Sequence, residues 1–263
     1  MTKQQSAGGQ PIDVAGVQPV AQEIIRAVAQ VYLAHLGPAL VTLVAHGSAV
    51  KGGLIVGSSD VDLVAFVEAT ILTPSDELPL GRALSLHRDL ARIDPSPFRY
   101  LSGHLYPVGG GPGPGFIPGT YHVLWGSRDV LVATSDELLA AARASLRTLD
   151  PVAMSAQLSN ALLDHGEDRL FNRVRLLATK VWPVMYHVAC LCTADGVAVW
   201  QQRKAEIVTL LSEDPLVGCT ATRWKDAVTR HYLGGETVDT ALDAIRAGVA
   251  FLEAAAAWIA HRA

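Results

Sequence analysis

The stretch that most constrains this chain is residues 41–68, VTLVAHGSAVKGGLIVGSSDVDLVAFVE, in which two short apolar runs bracket a glycine-rich connection. Residues 41–45 are apolar over the length of a strand and lie between Gly37-Pro38 and Gly47, so they predict a buried strand. Residues 60–67, DVDLVAFV, predict a second strand. Side chains alternate along a strand, which puts Asp60 and Asp62 on one face and Val61 and Leu63 on the other.

Two carboxylates on one face repel each other unless a cation lies between them. A pair of hard oxygen ligands suits Mg²⁺, which keeps several waters and takes further ligands from substrate phosphates. Gly47 and Ser48, at the start of what should be a short helix, offer a backbone that lets a phosphate approach closely, with N–H groups and a hydroxyl to donate. A strand, Gly-Ser, a turn and Asp-x-Asp on the next strand together suit the binding of a nucleoside triphosphate.

The rest of the chain supplies the frame. In residues 19–36 the apolar positions Val20, Ile24, Val28, Val31 and Leu36 recur at helical spacing, Pro19 suits a first turn, and Gly37-Pro38 stops the helix. Residues 80–93 predict a second amphipathic helix and 98–108 a third strand. The run GGGPGPG at 109–115 predicts a surface loop. Residues 121–125 read as a further strand or a short helix, and Ser135 is expected to cap a helix running to about residue 149, with Asp136 and Glu137 in its first turn.

Beyond Pro151 the texture turns to long Ala- and Leu-rich helical patterns broken near Gly166, Gly196, Pro215 and Gly234-Gly235, as in a bundle of four or five helices. The expected organisation is a flexible N-terminal tail at 1–17, an α/β domain at 18–150 and an all-α helical bundle at 151–263. The fold class is α+β, with a small mixed sheet in the first domain.

Composition removes several alternatives. No uninterrupted apolar span of about 18 residues is evident, and the first fifteen residues have no apolar targeting region, so a cytoplasmic protein is expected. The three cysteines, Cys190, Cys192 and Cys219, have neither zinc spacing nor an even number, and are expected as buried free thiols. A net charge of -4 argues against nucleic acid as a partner and for a small substrate.

The order and spacing of Gly47-Ser48 and Asp60-x-Asp62 resemble the polymerase β nucleotidyltransferase superfamily. More narrowly, GSAVKGGL followed by SDVDL resembles the aminoglycoside adenylyltransferases that modify streptomycin and spectinomycin. That resemblance implies Gly47 and Ser48 as nucleotide-binding, Asp60 and Asp62 as catalytic Mg²⁺ ligands, and Lys204 as a phosphate-binding lysine of the helical domain. It implies ATP as co-substrate, a small polar acceptor held between the two domains, transfer of AMP to its hydroxyl and release of pyrophosphate. Lys180-Val181-Trp182 and Tyr232-Leu233-Gly234 also resemble features of the family's helical domain.

One position departs from the family pattern. The adenylyltransferases carry a glutamate on the third strand as general base, and here that strand, FRYLSGHLYPV, contains no acid. Ser102 falls where the glutamate would be, and a hydroxyl cannot replace it as a base. His104, two residues on and therefore on the same face, has a side chain type that accepts a proton near neutral pH, and it is the candidate substitute.

The plainer readings stand beside these. Asp-x-Asp alone can cap a turn, Lys204 can be a solvated neighbour of Arg203 and Glu206, and His104 can be an exposed strand residue without a role. Trp182 and Trp200 read as core. Arg173 and Arg175, two apart on a helix, do not share a face. His46 either touches nucleotide or supports the turn. Two rival functions stand beside this one: a nucleotide-binding protein that has lost catalysis, for which the missing acid is the feature, and a module of this type that regulates a partner protein, against which the full helical domain argues.

Overall fold

The computed structural model describes residues 11–109, 115–126 and 129–262. Five residues of the expected 109–115 loop and the first ten of the expected tail lie outside these. The chain forms two compact units. One comprises the chain up to Leu54 together with Ser59–Val132; the other comprises Ile55–Ser58 together with Ala133–Ala263.

The first unit is built on a four-stranded mixed sheet. Its strands are β1 (Leu40–His46), β2 (Val61–Val67), β3 (Leu101–Pro107) and β4 (Tyr121–Gly126), in the order β3-β2-β1-β4. β1 is antiparallel to β2 and β4, while β2 and β3 run parallel. The helices are α1 (Pro19–Leu36), the single turn α2 (Ser48–Lys51) and α3 (Leu80–Leu90). α1 forms where the apolar spacing placed it, with Pro19 in its first turn and Gly37, at φ 54, ending it.

Both faces of the sheet are apolar in part, but unequally. Leu43, Ala45, Leu63, Ala65 and Val67 point to one side and join Ile25, Val28 and Ala29 of α1 in a large core. Full burial of each large aliphatic side chain there contributes about 1.5–3 kcal/mol. The other side carries a small cluster of Val44, Val64, Phe66 and Phe116.

Residues 11–17, expected as tail, belong to the larger core. Val14 and Val17 are buried, and the Asp13 N–H donates to the Leu124 carbonyl at 2.8 Å. A polar composition concealed two anchoring valines.

Within the described residues the second unit has seven α-helices: α4 (Ser135–Arg147), α5 (Pro151–Ala161), α6 (Glu167–Thr193), α7 (Gly196–Gln201), α8 (Lys204–Leu211), α9 (Gly218–Leu233) and α10 (Val238–Ala260). Six of these lie within 151–263, where four or five were expected; the break at Gly196 was expected, and the extra helix arises because a further break at Gln202 separates the short α7 from α8. α4 joins this unit, so the chain changes over at Val132–Ala133, ahead of the texture change near 150. Leu139, Ala142 and Leu146 explain why, since all three are buried in the helical core.

Thr134, not Ser135, caps α4. Its hydroxyl and the Glu137 carboxylate form a reciprocal capping box, while the Ser135 hydroxyl donates to Asp195 and accepts from the Gly196 N–H.

α6 is the spine of this unit and buries eleven residues, among them Val174, Trp182 and Met185. By length and composition α6 is long and apolar enough to cross a membrane, but charged residues such as Lys180 interrupt it, so it holds no uninterrupted apolar span of 18 residues, and 56% of its most apolar window is buried. Cys190 on α6 is buried, and burial pushes its thiol up to about 11. Cys192 and Cys219 are exposed rather than buried, on the outward sides of α6 and α9.

Candidate active site

The site begins where β1 runs out. Gly47 adopts φ 72 and turns the chain from β1 into α2. A Cβ there would stand 2.8 Å from the Asp62 Oδ2, so both the backbone conformation and the approach of the carboxylate require glycine. The Gly47 N–H is engaged by the Thr120 carbonyl at 2.9 Å. The N–H groups of Ser48 and Ala49, at the start of a helical turn, have no intrahelical acceptor.

Strand register assembles the rest. Asp62 lies opposite His46 on β1 and opposite Ser102 on β3, and His46 lies opposite Tyr121 on β4. Ser102, Asp62, His46 and Tyr121 thus form one row across the end of the sheet, on the face that carries the small aromatic cluster. The next row inward is His104, Val64, Val44 and Val123. His104 is exposed and sits beside Val64, one row away from Asp62.

Asp60 immediately precedes β2. The Tyr100 hydroxyl donates to its Oδ2 at 2.7 Å, and the Ser48 hydroxyl donates to its backbone carbonyl at 3.5 Å. A hydrogen bond to a carboxylate is among the stronger kinds and fixes the side chain as well as holding charge. The structure therefore brings Gly47, Ser48, Asp60 and Asp62 together at one sheet end, with Asp60 tied to Tyr100.

Electrostatics mark the same place. Burial is the main influence holding the His46 imidazole below the usual histidine range; His104 pushes in the same direction and Asp60 opposes them. A neutral imidazole therefore sits next to the motif glycine. Its ring meets Phe116 edge-on at 5.9 Å, so it supports the turn through packing.

Tyr100 and Thr120 are the contributors that sequence patterning missed. The available signal was positional: Tyr100 precedes Ser102 by two residues, as Asp60 precedes Asp62. It becomes informative only once β2 and β3 are known to pair in parallel with Asp62 opposite Ser102.

Lys204 opens α8 in the second unit, with its Nζ 5.5 Å from the centroid of the Trp182 ring. Glu206, its neighbour on the same helix, accepts the Arg203 N–H at 2.6 Å as a cap. Trp182 is buried and Trp200 stacks on Tyr186 at 4.6 Å, as core residues do.

Asp60 and Asp62 together present hard carboxylate oxygens at a glycine turn, which fits a Mg²⁺ ion that draws its other ligands from water and phosphate. Among the described residues no group of three or more His, Cys, Asp or Glu side chains is placed to form a metal site from protein ligands alone.

No family model matches the chain, and no curated protein matches it. Among solved structures it is similar to spectinomycin adenyltransferase AAD(9) from Enterococcus faecialis, determined with ATP and spectinomycin. The two are 16% identical, with a TM-score of 0.52 over 87% of this chain and 98% of that one. The chain thus has the α+β fold of that adenyltransferase, a small mixed sheet followed by a helical bundle.

Proposed function

We propose that this protein is a Mg²⁺-dependent nucleotidyltransferase that moves AMP from ATP to a hydroxyl of a small polar acceptor such as an aminoglycoside, releasing pyrophosphate. The observation that carries this reading is the junction of the Gly47 turn with Asp62, a carboxylate packed against a glycine whose φ no other residue adopts easily. The fold shared with an adenyltransferase supports it.

In this reading Asp60 and Asp62 hold the metal. When bound, Mg²⁺ would neutralise charge on the triphosphate and help orient its α-phosphate toward the acceptor. The Ser48 and Ala49 N–H groups donate to phosphate oxygens, and Tyr100 holds the Asp60 carboxylate in place. His104 accepts the proton of the acceptor hydroxyl, in the role for which β3 offers no acid. Lys204 is assigned to phosphate binding by the family resemblance, and its position over Trp182 restricts where its charge lies. The reading places the protein in the cytoplasm with no nucleic-acid partner.

One observation favours a second reading. Ser102 stands directly opposite Asp62, where an acid would complete the site, so the protein would bind nucleotide without transferring it.

A screen of pyrophosphate release separates the two. With Mg²⁺, each nucleoside triphosphate is tested against streptomycin, spectinomycin, other aminoglycosides and simple polyols. Release that requires both ATP and one acceptor supports transfer. ATP binding without release under any pairing supports the second reading, and neither binding nor release contradicts both.

A further inference from the structure

The helical unit contains a cavity of about 670 Å³ between the end of α4, helix α5 and one side of α6. This size is typical of small-molecule pockets. The cavity is on the opposite side of α6 from Lys204: Lys180 lines it, whereas Trp182, which Lys204 overlies, is two residues and therefore about 200° away around the helix.

Its wall is both apolar and positively charged. Leu177 and Val184 are buried at its floor, and Leu149, Met154 and Leu158 pack beside them. Arg173 and Lys180 also line it, seven residues and about 10 Å apart along one side of α6. Among the described residues neither has an ion-pair or hydrogen-bond partner. Their neighbours on the same helix differ, since Arg169 pairs with Asp164 at 2.9 Å and Arg175 donates to Asn172 at 2.8 Å.

The wall carries one carboxylate, so two cations stand against one anion and its net charge is positive. Asp150 accepts the Ala153 N–H at 2.9 Å as the cap of α5. α5, which covers the space, has no buried residue of its own.

We infer that this cavity binds a small anionic amphiphile: a carboxylate head between Arg173 and Lys180, and an alkyl or aryl body against Leu149, Met154, Leu158 and Val184. Charge complementarity selects the head, and the leucine-rich floor selects the body. The site is separate from the nucleotidyltransferase reading and does not depend on it.

Calorimetric titration of the full chain with decanoate tests the inference, with decanol as the uncharged control. The expected result is saturable binding of one decanoate per chain and at least tenfold weaker binding of decanol. The double variant Arg173→Gln/Lys180→Gln should bind decanoate at least tenfold more weakly. Ala153→Trp or Gln157→Trp, either of which places an indole in the cavity from exposed α5 positions, should abolish binding while near-UV circular dichroism stays native. Absence of saturable binding overturns the inference, as does decanol binding as well as decanoate or unchanged affinity in the natively folded variants.

Discussion

The two faces of the four-stranded sheet use the same strands for opposite purposes. On one, Leu43, Ala45, Leu63 and Ala65 alternate into a core closed by α1. On the other, the intervening residues begin with Val44, Val64 and Phe66 and end in His46, Asp62 and Ser102. Because strand side chains alternate, every residue of the first face fixes the height and direction of a residue of the second. The difference teaches where stability and chemistry are separated: the buried face holds the strands in register, and register alone brings Asp62 beside Gly47.

Breaking the charged face should have the largest effect on activity and the smallest on folding. Asp60→Asn is expected to reduce nucleotidyl transfer on the order of 10³-fold or more while leaving the thermal midpoint nearly unchanged, since a metal contributes several kcal/mol to the transition state. Steady-state kinetics and a melting curve on the same preparation check both halves.

Breaking the buried face should do the reverse. Leu63→Ala removes a side chain that is 1% exposed and should cost about 2–5 kcal/mol, read by denaturant unfolding. Activity per folded molecule should change far less than in Asp60→Asn.

Gly47→Ala should affect both folding and activity. The new Cβ meets the Asp62 Oδ2 at a φ of 72, so a loss of about 1–3 kcal/mol in stability should accompany a fall in turnover as the carboxylate is displaced. An unperturbed variant would show that the close approach is unimportant.

Tyr100→Phe sharpens the comparison by removing one bond from the charged face. Losing a hydrogen bond to a carboxylate is worth about 1.5–3 kcal/mol, so a loss in turnover of roughly 10- to 100-fold is expected, accompanied by a higher Mg²⁺ requirement. A merely structural tyrosine would leave the Mg²⁺ dependence where it was.

The smallest effect is on pH. Folding lowers the His46 pKa from its unfolded value near 6.5, chiefly through burial, so the neutral form is the one the fold prefers. Its contribution is complete above about pH 6.5 and is lost as pH falls through the lowered folded value. His187, lowered by burial in the helical unit, acts in the same direction. Unfolding at about pH 7.5 and about pH 5 should therefore show a loss of stability that His46→Gln reduces but does not abolish.

Much of this architecture was legible. α1 and the strand cores followed from apolar spacing because burial on one face imposes a period. The Gly-Ser and Asp-x-Asp segments were legible because glycine at positive φ and carboxylates on one face have few other uses. What was hidden depended on pairing between distant segments. Tyr100 reaches Asp60 only through the parallel register of β2 and β3, and Thr120 engages Gly47 only because β4 lies on the far side of β1. α4 shows the same limit, since its amphipathic pattern reveals a buried stripe but not which core receives it.

The central claim is transfer of a nucleoside monophosphate at the Gly47–Asp62 junction, and phosphate labelling tests it most directly. ATP labelled at either the α- or the γ-phosphorus is incubated with the protein, Mg²⁺ and the acceptor that supports pyrophosphate release, first streptomycin and spectinomycin. The account predicts α-label in the acceptor, γ-label in pyrophosphate, and neither product with Asp62→Asn. Transfer of γ-label to the acceptor, or α-label transfer undiminished in Asp62→Asn, would contradict it.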